Sequence, residues 1–275
     1  MSLKIIILTG SELRHTYFRK SLATIEGVSI VASYCESAKG NLQELVASQT
    51  IENTLRTKHL ELRDQSEKDF FEGFCLKTAD NSNPIYVEKG AINDLDHVEK
   101  IKALNPDVIV SYGCSIIKSE LLTLFKGRFI NLHLGLSPYY RGSGTNFWPF
   151  VNNELQFVGV TFMHIDAGID TGAIIHQIRA EIKKGDTIHT IGNRLIRDMT
   201  AICGKLLLNF RKLEDVQPIP FDKRFEKIYR KKDFTETSLE IMYQNFELEM
   251  VEKHLQNKAK IEAGFPIITN KILRS

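Results

Sequence analysis

The sequence predicts an α/β protein in which helices flank a mostly parallel β-sheet, with a small helical extension at the C-terminal end. Short apolar runs rich in β-branched residues alternate with segments of helical periodicity through the first half of the chain. The helical segments are long enough to serve as crossovers between parallel strands. Beyond Pro218 and Pro220 the sequence turns charged and helical. We therefore predict one large domain, the catalytic domain, over residues 1–213 and a small, mainly helical extension over residues 214–275.

Each strand of the first half is predicted from an apolar run bounded by turn-forming residues, and each helix from apolar residues three and four apart. The Thr9-Gly10 pair ends the first strand, and Asn105-Pro106 ends the predicted helix Asp94–Leu104. The predicted strands are Lys4–Leu8, Val28–Ser33, Ile85–Val87, Val108–Tyr112 and Phe129–Leu132. The predicted helices are Glu12–Ile25, Asp94–Leu104 and Lys118–Phe125, and Asn41–Leu76 is helical with room for two helices.

The pattern changes in the second half. Phe157–His164 and Ala173–Ala180 are β-rich runs joined by a segment too short for a crossover helix, so we expect an antiparallel or edge pair. A long helix is predicted from Asp186-Thr187 to about Leu213. One amphipathic helix is predicted in the extension, over Ser238–Leu255.

Length and composition exclude several classes of protein. The chain has 275 residues, with 43% hydrophobic and 25% charged residues, and no apolar run long enough for a membrane helix. Met1–Thr9 is apolar and lacks a cleavage signature, so we expect a cytoplasmic protein. Four cysteines without a CxxC pair and eight histidines without ligand spacing argue against a metal centre. A net charge of +2 disfavours a protein dominated by nucleic-acid binding.

Three polar residues follow apolar strand or loop sequence and could act together. Asn131 and His133 are two apart on a predicted strand, so their side chains project from the same face. Asp170 lies in the Gly-rich loop Asp166–Gly172, whose small residues suggest backbone close to a ligand or another strand. Taken singly, each feature is more typical of a hydrogen-bonded turn or a cap. Together, an amide, an imidazole and a carboxylate suit acyl transfer.

Three motifs, taken jointly, resemble the folate-dependent formyltransferases, which include glycinamide ribonucleotide, methionyl-tRNA and sugar-nucleotide enzymes. These motifs are Asn131–Gly142 (NLHLGLSPYYRG), Gly159-Val160-Thr161 and Asp166–Gly172 (DAGIDTG). The resemblance covers about Lys4–Leu213 and is strongest from Val108 to Ile175. It implies a Rossmann-like formyltransferase fold, 10-formyltetrahydrofolate as co-substrate and no metal.

The resemblance also implies roles for individual residues. Asn131, His133 and Asp170 match the family's catalytic trio. Ser115, Ile116 and Ile117 match the segment lining the pterin pocket, and Ile165, Asp166 and Ala167 match the loop whose backbone reads the pterin ring. The acceptor contacts implied are Gly10, Ser11, Arg14, Arg141 and Gly142, although a helix cap explains Gly10-Ser11 equally well. The sequence Leu-Gly-Leu-Ser-Pro after His133 departs from the family's pattern. The resemblance therefore does not define the side of the pocket that binds the amine acceptor.

The acceptor amine is the least determined feature. Methionyl-tRNA enzymes of the family carry a barrel-type second domain, whereas Gln217–Ser275 reads as charged and helical. The basic cluster Lys223–Lys232 is more typical of a solvated linker than of a tRNA contact. By elimination we predict a small-molecule acceptor, an amino-sugar nucleotide. Methionyl-tRNA formyltransferase and 10-formyltetrahydrofolate hydrolase are the alternatives, and the chain's start at its first strand speaks against the hydrolase.

The sequence argues against two other classes of protein. A binding protein without turnover would have no reason to retain the whole trio. A nicotinamide dehydrogenase is excluded because the turn after Leu8 lacks the GxGxxG pattern. The Ser238–Leu255 helix is suited either to packing on the core or to forming a homodimer surface, and composition does not distinguish between these two roles.

Overall fold

In the computed structural model, which describes residues 2–37, 54–166, 168, 170–213 and 216–273, seven strands form one sheet in the order β3-β2-β1-β4-β5-β7-β8. The first five strands are parallel, and β7 and β8 are antiparallel to their neighbours. These strands are β1 (Leu3–Gly10), β2 (Val28–Glu36), β3 (Pro84–Val87), β4 (Val108–Tyr112), β5 (Phe129–His133), β7 (Gly159–Met163) and β8 (Ile174–Arg179). The predicted α/β fold with a mostly parallel sheet is confirmed.

The centre of the sheet is buried on both faces, because helices cover each side of it. Successive residues of β1 point to opposite faces. Ile5 and Ile7 belong to one apolar cluster, whereas Ile6 and Leu8 belong to the other. A parallel strand buried in this way is mostly apolar and rich in β-branched residues, which is why β1 and β4 could be predicted from the sequence.

The helices cover the sheet and build the walls of the site. Their ranges are α1 (Leu13–Ala23), α2 (Leu55–Glu67), α3 (Gly73–Lys77), α4 (Leu95–Leu104), α5 (Ser119–Leu124), α6 (Trp148–Val151), α7 (Ile188–Leu208), α8 (Glu236–Glu247) and α9 (Met250–Ala263). The Thr187 and Thr190 side chains form a capping box at the start of α7. This helix ends at Leu208, and a short 3₁₀ turn follows it before Leu213. The prediction for Asn41–Leu76 falls partly on residues 41–53, which lie outside the described ranges. None of the described helices is long and apolar enough to cross a membrane.

The expected antiparallel pair is confirmed as β7 and β8, with β8 at the edge of the sheet. Strand β7 also pairs antiparallel with β5, so that Asn131 lies opposite Met163 and His133 opposite Thr161. The loop from β7 to β8 therefore returns beside the end of β5. This return brings the Asp166–Gly172 loop to the side chains of Asn131 and His133.

The single helix predicted over Ser238–Leu255 is wrong. The chain breaks after α8 at Glu249, whose φ of 60° is left-handed, and resumes as α9. The break allows both helices to contribute to the main core, through Leu239 and Met242 of α8 and Met250 and Val251 of α9. A boundary at residue 213 remains a prediction, since the extension packs into the same apolar cluster as the sheet.

Two short strands were not predicted. β6 (Tyr140–Gly142) and β9 (Lys227–Tyr229) pair in parallel as a separate two-stranded sheet. Strand β6 directly follows the loop after His133, and β9 belongs to the extension. The extension therefore touches the main domain at one of the motifs singled out in the sequence.

Candidate active site

The side chain of Asn131 is oriented by the neighbouring strand. Ser111 on β4 lies in register with Asn131 on β5, and its hydroxyl donates to Asn131 Oδ1 across 2.8 Å. Since Oδ1 accepts this hydrogen bond, the amide nitrogen Nδ2 is the atom of the side chain that is left to donate. The site therefore presents a fixed hydrogen-bond donor at the carboxyl end of β5.

The imidazole of His133 is buried and held at both nitrogens. Nε2 lies 2.9 Å from the carbonyl oxygen of Tyr140, and Nδ1 lies 3.3 Å from Oδ1 of Asp170. A carbonyl oxygen and an ionised carboxylate can only accept, so each nitrogen must carry a proton to be satisfied. The arrangement therefore suits the imidazolium, paired with the Asp170 carboxylate.

Asp170 is held in turn by backbone. Its second oxygen, Oδ2, accepts from the N–H of Gly142 across 2.9 Å, and its own φ of 52° is left-handed. The loop around it is tight. Asp166 Oδ1 accepts from the Gly168 N–H at 2.9 Å and from Thr171 Oγ1 at 2.8 Å. A Cβ on Gly172 would overlap the carbonyl oxygen of His164. The small residues of this loop are thus explained by close backbone approach.

The predicted trio converges on one cavity of about 1110 Å³ at the carboxyl edge of the sheet. Asn131 and Asp170 line it, and His133, only 7% exposed, lies behind Asp170. In parallel α/β sheets a ligand site at this edge is the general expectation. The amide and the carboxylate can touch a ligand directly, whereas the imidazole acts through the carboxylate.

One wall of the cavity contains the segments predicted to line the pterin pocket, Ser115–Ile117 and Ile165–Asp166. Ile117 packs into the core, while the side chain of Ile116 is 81% exposed. The buried carboxylate of Glu36 ties this wall together by accepting from the N–H of Ser115 at 2.6 Å and of Gly90 at 2.7 Å. Ala167, predicted with this group, lies outside the described residues.

A second wall contains Gly10, Arg14 and Gly142. Arg14 lies between two carboxylates, 3.1 Å from Glu12 and 2.8 Å from Glu67. Burial alone would raise the pKa of Glu12, but the hydrogen bond from His15 and the charge of Arg14 hold it well below its usual range. Burial, followed by the charge of Arg14, lowers the pKa of His15. This wall therefore carries fixed charges of both signs.

Two predicted acceptor contacts are placed elsewhere. Ser11 follows β1 beside the cavity, but the lining at that turn comes from Gly10 and Glu12. Arg141 forms an ion pair with Glu226 of the extension. Neither side chain is brought to the cavity with the other predicted residues.

The sequence model of the Formyl transferase family matches residues 3–202, and all three residues of the trio fall inside the match. The chain belongs to the formyl transferase family. It is 30% identical over 178 residues to the methionyl-tRNA formyltransferase of Desulforamulus reducens, covering 64% of this chain and 54% of that protein. It is 39% identical over 106 residues to that of Thermodesulfovibrio yellowstonii, covering 38% of this chain and 34% of that protein. The chain thus spans between a third and just over half the length of these curated relatives.

The formyltransferase fold is shared with solved structures. A sugar N-formyltransferase from a Shewanella species superposes with a TM-score of 0.56, at 18% identity, over 84% of this chain and 78% of that chain. At this identity the likeness establishes the fold. The predicted family and fold are both confirmed.

This member of the family has cavity residues that sequence reasoning missed. Tyr229 stacks on Trp148, with ring centroids 4.1 Å apart and planes 6° apart. The basic cluster Lys223–Lys232 was interpreted as a solvated linker because its charges are dense. The aromatic residues close to these basic ones, Tyr229 and Phe234, were the available signal, whereas the single tryptophan gave none. The missed lining residues are Glu36, Arg63, Tyr112, Trp148, Tyr229, Arg230, Lys231 and Phe234.

Proposed function

We propose that this chain transfers the formyl group of 10-formyltetrahydrofolate to the primary amine of an amino-sugar nucleotide. The observation that carries the proposal is the convergence of a donor amide, Asn131, and a carboxylate, Asp170, on one cavity, with the ring of His133 paired behind the carboxylate. These are the groups that acyl transfer to an amine requires.

The wall formed by Ser115–Ile117 and Ile165 suits the folate. Ile116 exposes a large apolar side chain beside the cavity, which a flat ring could cover. Ser115–Ile117, Ile165 and Asp166 would hold the pterin. When bound, the co-substrate supplies a formyl carbon attached to nitrogen N10.

The protein's own groups would then act in order. Asn131 Nδ2 donates to the formyl oxygen, where negative charge develops as the amine attacks the carbon, and such a donor is typically worth about 3 to 4 kcal/mol of barrier. Asp170, charged and facing the cavity, accepts the proton that the attacking amine loses. The His133 imidazolium keeps the pair neutral overall until then. The proton passes to the departing nitrogen as the carbon–nitrogen bond breaks, so the residues end as they began.

The charged and aromatic lining of the cavity supports a nucleotide as acceptor. Arg14 and Arg63 line the cavity from the main domain, and Arg230 and Lys231 line it from the extension, next to the stacked pair Trp148 and Tyr229. Cationic side chains beside aromatic rings suit the phosphates and base of a nucleotide. Within residues 216–273 the extension has one three-residue strand, two α-helices and three short 3₁₀ helices, without the many strands of a barrel.

A second candidate, formylation of methionyl-tRNA, is favoured by the names of the curated relatives. It would use the same trio and the same folate wall. The two candidates differ in what must approach the basic residues Arg230 and Lys231, a free nucleotide or the end of a folded RNA.

The test is release of tetrahydrofolate from 10-formyltetrahydrofolate by the purified full chain. We expect release to depend on one member of a panel of amino-sugar nucleotides, and Asn131→Ala to be the inactive control. Release only with charged initiator tRNA would support the second candidate. Release without any acceptor would identify a hydrolase, and release under none of these conditions would contradict formyl transfer from this co-substrate.

A further inference from the structure

Strand β6 holds both members of the His133–Asp170 pair. The carbonyl oxygen of Tyr140 accepts from His133 Nε2 at 2.9 Å, and the N–H of Gly142 donates to Asp170 Oδ2 at 2.9 Å. Two backbone groups two residues apart therefore set the position of the ring and of the carboxylate. Any displacement of β6 would change the contact between Nδ1 and Oδ1.

Strand β6 is itself held by the extension. In its pairing with β9, Tyr140 lies opposite Lys227 and Gly142 opposite Tyr229. The N–H of Lys227 donates to the carbonyl of Tyr139 at 2.8 Å, and the N–H of Ser143 donates to the carbonyl of Tyr229 at 2.8 Å. A Cβ on Gly142, whose φ is +93°, would overlap the Tyr229 carbonyl oxygen, so the two strands are in closest contact at the residue that binds Asp170.

Side chains lock the same pair of strands. Lys227 Nζ lies 3.0 Å and 2.9 Å from the two carboxylate oxygens of Glu154, and Glu154 accepts from the hydroxyl of Tyr140. Burial, followed by this hydrogen bond, raises the pKa of Tyr140, so its hydroxyl stays protonated and donates. The Lys227 ammonium also lies 5.3 Å from the centre of the Tyr140 ring. Asn152 Nδ2 donates to the hydroxyls of both Tyr140 and Tyr229 at 2.8 Å.

We propose that the C-terminal extension positions the catalytic pair, with Lys227 and Glu154 as positioning residues that act through β6. The matched family region ends at residue 202, so β9 is an addition outside it that reaches back to the active site. The extension thus has a role in turnover besides lining the cavity. The expected effect on kcat rests on the proposed function, whereas the expected effect on the position of the His133 ring does not.

The kinetic test compares Lys227→Met with Arg224→Met. Arg224 belongs to the same segment and pairs with Asp222, but it is exposed and does not contact β6. We expect Lys227→Met to lower kcat about tenfold with KM for the formyl folate changed less than about twofold, since misplacing a catalytic group costs turnover. Lys227→Arg should restore most of the loss, and Arg224→Met should match the wild type. Equal kcat in both Met variants would overturn the proposal.

A second measurement does not depend on activity. In protein labelled with ¹⁵N-histidine, the ring signals of His133 are assigned by their disappearance in His133→Gln. We expect these signals to shift in Lys227→Met and in Glu154→Gln, and to stay in place in Arg224→Met. Unchanged His133 signals in both β6-linked variants would refute the positioning role. A wild type that is inactive with every acceptor would refute the proposed function alone.

Discussion

The hydroxyl of Ser111 donates to the side-chain oxygen of Asn131 across 2.8 Å, between residues in register on adjacent parallel strands. Ser111 is only 1% exposed, so its hydroxyl is held in place by the surrounding protein. The contact decides which end of the Asn131 amide faces the cavity. An oxygen there would repel a developing negative charge, whereas the nitrogen stabilises it.

Ser111→Ala should therefore lower kcat about tenfold, because the Asn131 amide loses its fixed orientation. We expect KM for the formyl folate to change little. The matched control is Thr9→Val, which removes a buried hydroxyl of β1 that donates to the carbonyl of Tyr112 at 2.7 Å and does not contact Asn131. Steady-state kinetics of both variants would settle the matter, and an equal loss in the two would show that the Ser111 effect is only structural.

Asp170→Asn tests the charge of the pair without disturbing the loop. Asparagine tolerates the left-handed φ of 52° and can still accept from the Gly142 N–H. It cannot accept the amine's proton or balance an imidazolium, so we expect kcat to fall by about 10² to 10⁴. Binding of tetrahydrofolate, followed by fluorescence quenching or calorimetry, should remain close to that of the wild type. A variant with near-normal turnover would remove Asp170 from the mechanism.

Gly172→Ala should disrupt the loop that carries Asp170, because the new Cβ would overlap the His164 carbonyl oxygen. Backbone on both sides must move, and we expect a loss of about 1 to 3 kcal/mol in unfolding free energy together with most of the activity. Gly73→Ala is the matched control, since a Cβ there meets nothing within 4 Å and the residue begins α3. Denaturant unfolding should show that control unchanged or slightly more stable.

Acid should weaken the fold through His59. The ring is buried, with Nδ1 3.0 Å from the Tyr243 hydroxyl. Burial, then the charges of His189 and Arg63, lowers its pKa from 6.5 to about 3. The unfolded chain binds a proton near 6.5 that the folded chain rejects, so this contribution is complete above that pH and is lost as the pH falls below it. Between about pH 7.5 and about pH 5 the unfolding free energy should drop by roughly 1 to 2 kcal/mol from this group.

The measurement is urea unfolding of the wild type and of His59→Gln at both pH values. The variant should be less stable at neutral pH but should lose less on acidification than the wild type. An equal loss in the two proteins would assign the acid sensitivity to other groups.

Much of the sheet could be predicted because its signals are local. Val108–Tyr112 was predicted to the residue, since a strand buried on both faces is mostly apolar, and Ser111 is its one small polar residue. The antiparallel β7–β8 pair followed from a connection too short for a crossover. Asn131, His133 and Asp170 were identified by a motif pattern, and the structure brings them together.

Other features had no local signal. Strands β6 and β9 are three residues each and lie more than eighty positions apart, so nothing in either segment predicts their pairing. The break at Glu249 depends on where α8 and α9 meet the core. Arg141 was expected at the acceptor because of its motif, but Glu226, distant in sequence, pairs with it.

The strands of the main sheet, most of the helices, the family and the identity of the trio follow from the sequence, because hydrophobic periodicity and short motifs involve neighbouring residues. The tertiary structure decided how the trio works: which end of Asn131 faces the cavity, that both nitrogens of His133 are engaged, and that the extension holds β6. Those properties depend on single hydrogen bonds between groups far apart in the chain, and only the packed fold brings such groups within 3 to 4 Å.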